Sequence, residues 1–181
     1  MAAPPPTSED ERWLARCLEL AREAAAADEV PVGAVVVVDG GLVGEGRNRV
    51  EQRRSPLAHA EMEALEAALA AVGQKRLPEA ALYCTLEPCF LCAGAILHTR
   101  VRRVVYGARD PKFGAVRSLG NVLDDPRLNH RCEVVEGVGA AESAALLRAC
   151  VRGKRGRCRP ADACCNAGGA AARFSAWVVR R

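Results

Sequence analysis

The chain has 181 residues, 50% of them apolar, 27% charged and 4% aromatic, with a mean hydropathy of -0.04, a balance that excludes a disordered chain and suits one domain with a core built mainly from Val, Leu, Ala and Ile. No apolar run approaches the ~18 residues of a membrane span, and the opening MAAPPPTSEDERW lacks the basic start and apolar stretch of a signal peptide, so a cytoplasmic protein is expected, with its nine cysteines reduced or on a metal. The net charge of +4 is uneven: residues 1–147 hold 17 basic and 21 acidic side chains, residues 148–181 hold 9 and 1, so an anionic partner has a place to be drawn to.

After the Pro-rich start, Ser8 and the acids that follow offer a helix cap. Trp13, Leu14, Cys17, Leu18 and Ala21 then recur at helical spacing, which predicts an amphipathic helix over Glu9 to Ala27. Val32–Val38 and Leu42–Asn48, split by Asp39-Gly40-Gly41, predict a hairpin. A second helix is expected from near His59 to Val72, a third strand over Ala81–Leu86, and a third helix over Cys89 to His98 with Pro88 in its first turn. Val101–Gly107 reads as a fourth strand, 110–130 as loop with one short helical turn, Cys132–Val135 as a fifth strand and Ala140–Arg152 as a helix. Strands alternating with helices imply an α/β layered domain over 9–152, preceded by a flexible 1–8. From Gly153 the breakers multiply, and 153–181 reads as a basic, disordered tail with idle thiols at Cys158, Cys164 and Cys165.

The chemistry concentrates in His59-Ala60-Glu61 and, further on, Pro88-Cys89-Phe90-Leu91-Cys92. Cysteines three apart share one helix face, and the amides and dipole of a first turn favour the thiolate that a metal needs. His59 also stands at a helix start, so two helix N-termini after neighbouring strands point at one spot on the carboxyl edge of the sheet. One imidazole and two thiolates leave zinc's fourth position open for water, the arrangement of a catalytic rather than a structural site. Glu61 is placed to accept and return that water's proton. The joint pattern of H-x-E and P-C-x-x-C is the signature of zinc nucleobase deaminases.

The stretches Glu29–Ala34, Gly44–Asn48, Ala58–Glu61, Thr85–Ala95, Val104–Asp110 and Asn129–Arg131 resemble the bacterial tRNA-specific adenosine deaminase family over roughly residues 10–152. The resemblance implies the cytidine-deaminase-like three-layer α/β/α sandwich with a five-stranded mixed sheet. It implies one zinc ion on His59, Cys89 and Cys92, and a substrate adenosine at the wobble position of a tRNA anticodon stem-loop. Zinc-activated water would attack C6 of the base, with Glu61 protonating N1 and then the departing ammonia to leave inosine. Asn48 is carried over as a purine-edge contact and the backbone of Ala60 as its neighbour. Asp110 is expected on a ribose or flanking base, and Arg53, Arg54, Arg109, Lys112, Arg131 and Arg152 on phosphates. The family also implies a homodimer. The last helix departs from the family by lacking a stacking aromatic.

Three other readings compete. Cys84 as fourth ligand would make the zinc structural, although Tyr83-Cys84-Thr85 favours a buried strand residue. The same fold also serves free-base and nucleoside deaminases (guanine, cytosine or cytidine), and a non-catalytic RNA-binding subunit would keep the metal without using Glu61. Gly40, Gly41, Gly44 and Gly46 read as turn formers, Arg100, Arg102 and Arg103 as a solvated strand flank, and Cys17, Cys132 and Cys150 as core fillers.

Overall fold

The computed structural model describes residues 5–156. Five helices and five strands follow in the order α1 (Ser8–Ala26), β1 (Gly33–Val38), β2 (Gly41–Arg47), α2 (Val50–Arg53), α3 (Ala60–Val72), β3 (Ala81–Leu86), α4 (Phe90–Thr99), β4 (Arg103–Ala108), β5 (Glu133–Glu136) and α5 (Ala140–Gly156). Thr7, not Ser8, caps α1: its side chain accepts from the Asp10 amide while Asp10 takes the Thr7 amide. Asp10 also meets Arg103 at 2.6 and 3.0 Å, so that arginine is a nearly buried tie between α1 and β4 rather than a solvated flank. The four-residue α2 has no counterpart in the periodicity, being too short to show one. Helix α5 runs past the expected limit at Arg152, and Cys158, Cys164 and Cys165 lie outside the described residues.

The strands form one mixed sheet in the order β2-β1-β3-β4-β5, with β1 antiparallel to both neighbours and β3, β4 and β5 parallel. Asp39 and Gly40, at φ 50° and 72°, make the left-handed turn that closes the β1–β2 hairpin. Because residues alternate between faces, Val36, Leu82, Cys84 and Val104 join Ala64, Leu65, Ala68 and Ile96 under α3 and α4. Val35, Val37, Tyr83, Val105 and Val135 meet Trp13, Leu14, Cys17 and Leu20 on the opposite face. Helices α1 and α5 cover that second face, completing the expected α/β/α sandwich. Cys17 and Cys132 are core residues, while Cys150 is half-buried with its thiol 3.9 Å from the Glu29 carbonyl.

Reversal of β1 brings the carboxyl ends of β2, β3 and β4 to one edge, although β1 stands between β2 and β3, which are therefore not neighbours as expected. Gly44 and Gly46 serve a different purpose from turn making. A Cβ on Gly44 would lie 2.4 Å from the Ala64 carbonyl oxygen, and one on Gly46 2.4 Å from that of Ala60, so α3 rests on bare β2 backbone. That seat sets the height of the α3 N-terminus, where His59 and Glu61 stand. Gly46→Ala is expected to cost about 1–3 kcal/mol by overpacking and to lower the melting temperature by ~2–12 °C; an unchanged thermal transition would refute the tight seat.

Candidate active site

His59 and Cys89 are N-caps. Both have the extended backbone that precedes a helix, and neither side chain bonds its own helix's amides. A side chain at this position usually accepts from the first turn; these two turn toward each other instead. His59 Nδ1 lies 3.5 Å from Cys89 Sγ and 3.4 Å from Cys92 Sγ, and the two sulfurs are 3.6 Å apart. Donors around a tetrahedral zinc ion would be separated by ~3.6 Å (N to S) and ~3.8 Å (S to S), so the cluster fits such an ion with little movement. Among the described residues no fourth His, Cys or carboxylate joins it. Cys84 is buried in β3 with its thiol toward the Val105 carbonyl, which removes the candidate for a closed site.

Electrostatics agree with a cation-binding centre. A hydrogen bond from Cys92, with further help from His59, brings the Cys89 thiol down to about 4, while the same bond and burial push Cys92 up. The pair thus shares one proton that an ion would displace. Hydrogen bonding to Cys89 raises His59. Burial pushes the Glu61 carboxyl up to about 7, so it exchanges a proton easily near neutrality.

Next to the cluster opens a cavity of about 340 Å³ lined by Val30, Asn48, His59, Glu61, Asp110 and Phe113, among others. Two further buried carboxylates frame it. Glu29 accepts from Asn48 Nδ2 at 3.0 Å and from the amides of Glu51 and Gln52 at 3.2 and 2.8 Å. Glu87 collects the amides of Asp110, Val116, Arg117 and Ser118 and the Ser118 hydroxyl. Burial alone would raise the Glu87 pKa, but the Ser118 hydroxyl and the amides of Arg117, Ser118 and Asp110 bring it below its ordinary value. This carboxylate pins the 110–118 loop beside Cys89, and a Cβ on Gly114 would collide with it at 2.3 Å.

Of the residues singled out in the sequence, His59, Glu61, Cys89, Asn48 and Asp110 line the cavity, with Cys92 in the cluster beneath. Ala60 is fully buried; as the first residue of α3 its N–H has no helical partner. Arg109 is turned onto Glu136 through Nε and Nη2 at 2.9 and 2.8 Å, Arg53 onto Glu63 at 2.7 Å, and Arg131 toward Asp124 at 3.6 Å. Lys112 and Arg152 are exposed and are not part of the cavity wall. The Asp110 carboxylate accepts from the amides of Lys112 and Phe113 at 2.9 and 3.2 Å, so it shapes its own turn. Sequence reasoning passed over Glu29 and Glu87, although both sit in the stretches that carry the resemblance. It also passed over Phe113, which is 66% exposed at the rim and had no signal beyond being an aromatic in a loop.

On this sandwich, a donor set one short of closing and a buried carboxyl titrating near neutrality together describe a hydrolytic nucleobase deaminase. Residues 8–155 match the family model of the MafB19-like deaminases. The tRNA-specific adenosine deaminase of Agrobacterium fabrum is 47% identical over 135 residues, 75% of this chain and 89% of its own; that of Bacillus subtilis is 42% identical over 145 residues, 80% and 90%. The chain belongs to the tRNA-specific adenosine deaminase family. A solved structure from work on A-to-I editing by tRNA:A34 deaminases at the wobble position aligns with a TM-score of 0.72 at 44% identity, covering 75% of this chain and 99% of that one. A guanine deaminase from Nitrosomonas europaea aligns at 0.69 and 30% identity, covering 83% and 86%.

Metal analysis tests the donor set. Cys92→Ser is expected to purify with metal near background, whereas Cys84→Ser keeps the wild-type content; equal loss in both would return Cys84 to the site.

Proposed function

We propose that the protein converts adenosine to inosine at the wobble position of a tRNA anticodon, consuming water and releasing ammonia. The observation that carries this reading is the identity of 42–47%, sustained over 75–80% of this chain, to relatives named for that activity. His59, Cys89 and Cys92 would hold one zinc ion per chain, which supplies the Lewis acidity that activates water near neutral pH.

Glu61 performs the proton transfers. It takes a proton from the attacking water and gives it to N1 of the adenine ring. It then carries the remaining hydroxyl proton to the amino group as the C6–N bond breaks, so that oxygen stays on C6 and the nitrogen leaves as ammonia. Burial suits it to both directions of transfer, since a carboxyl near 7 is neither too weak a base nor too weak an acid. The cavity is at the small end of ligand pockets, ~300–1,000 Å³, which suits one splayed base while the rest of the anticodon loop stays outside. Asn48 and the Ala60 N–H meet the base edge. Asp110 lies near the ribose, and Arg109, Lys112 and Arg152 near phosphates, with Arg109 exchanging Glu136 for one of them.

Phe113 supplies a stacking ring at the rim, in place of the aromatic that the last helix lacks. A homodimer acting in the cytoplasm completes the proposal; among the described residues no helix is long and apolar enough to cross a membrane.

Turnover of an anticodon stem-loop RNA, assayed beside free adenosine, guanine and cytidine, tests the substrate; exclusive action on a free base or nucleoside would overturn it. Glu61→Ala is expected to keep its metal and lose inosine formation by a factor of ~10²–10⁴; unchanged deamination would remove Glu61 from the mechanism. Phe113→Ala should raise KM for the stem-loop about tenfold with little change in kcat, the share expected of one base–ring stack.

A further inference from the structure

Glu29 is fully buried, lines the cavity, and takes no part in the proton transfers or the metal cluster. A buried carboxylate needs donors, and Glu29 has three: two amides from the first turn of α2 and the side-chain amide of Asn48. Arg49, the N-cap of α2, makes no side-chain capping bond, so Glu29 supplies that cap from the loop between α1 and β1. The same Oε2 that accepts from the Glu51 amide also accepts from Asn48 Nδ2, 3.0 Å away.

A side-chain amide has two faces that differ only by a half-turn about its last bond, one presenting oxygen where the other presents nitrogen. A carboxylate accepts and cannot donate, so only the nitrogen of Asn48 can face Glu29. The opposite flip would set Oδ1 against Oε2, two acceptors at contact. Among the described residues no donor reaches Asn48 Oδ1. We infer that Glu29 is a positioning residue that locks the flip of the Asn48 amide, and thereby decides which edge of the purine the cavity accepts. The inference rests on the reading of Asn48 as a base-edge contact.

A purely structural Glu29, serving α2 alone, would leave the same geometry but a different energetics, and a double-mutant cycle separates the two. The cycle uses the metal-loaded full chain, Glu29→Ala, Asn48→Ala and the double variant, with kcat/KM on an anticodon stem-loop RNA as readout. Metal content and melting temperature are measured alongside. If Glu29 acts through Asn48, Glu29→Ala lowers kcat/KM about tenfold or more when Asn48 is present and less than threefold when it is absent. A similar loss in both backgrounds, or none in either, overturns the inference while leaving Asn48 as a contact. If Asn48→Ala itself stays within threefold of wild type, the base-edge reading fails and the inference falls with it. Should Glu29→Ala not fold, Glu29→Gln takes its place: one amide oxygen cannot serve all three donors, and a several-fold loss confined to the Asn48-containing background is expected. Its absence, or its persistence without Asn48, overturns the inference.

Discussion

Two helices begin at the same point in space, and the rest of the site depends on that meeting. The N-termini of α3 and α4 face each other across the carboxyl edge of the sheet, each with a capping position that gives its side chain to the neighbour instead of to its own amides. Unpaired amides and helix dipoles concentrate positive potential there. Thiolates are stabilised by that potential, and a thiolate pair with an imidazole is a donor set that prefers a borderline-soft ion such as zinc. The meeting needs α3 at a particular height, which the bare backbone of Gly44 and Gly46 provides, and α4 launched from β3, which the parallel β3–β4 pairing provides.

Three glutamates surround this point, and their environments assign them different work. Glu61 is buried, which raises its carboxyl to about 7 so that it holds a proton more tightly than an exposed glutamate and exchanges it near neutrality. Glu87 is buried with a ring of loop amides and a hydroxyl, which keep it charged and keep the 110–118 loop in place. Glu29, in the loop after α1, joins α2 to the Asn48 amide. Residue type alone does not separate an acid–base group from a scaffold; the count of donors reaching each carboxylate does.

At about 340 Å³ the cavity has room for one base, so under the proposed function the rest of an RNA is met by the surface around it. There the structure offers an exposed ring at Phe113 and arginines that are already ion-paired within the chain. The Arg109–Glu136 pair is solvent-exposed, and such pairs are worth little, ~0–1 kcal/mol, so a phosphate can replace Glu136 at small cost, whereas Glu63, with a side chain only 10% exposed, keeps Arg53 more firmly. Charge on this face is therefore available without being idle in the free protein.

Much of the sandwich was legible because its signals are local. The run of valines in β1, the Asp39-Gly40 turn and the periodicity of α1 each report on a few neighbouring residues, and the strands and helices fall within two residues of the expected limits except α5, which runs four residues longer. His59, Glu61, Cys89 and Cys92 were legible because metal and acid–base chemistry admits few residue types at those spacings. The cap at Thr7, the short α2, the strand glycines under α3 and the burial of Arg103 were not, because each depends on which element packs against it. The sequence by itself determined the layer order and singled out His59, Cys89 and Cys92, the cluster that could hold a metal ion. Only the tertiary structure decided that Cys84 stays out of the cluster, that Arg109 rests on Glu136, and that Glu29 reaches Asn48, since contacts between residues far apart in the chain are set by how the layers close on one another.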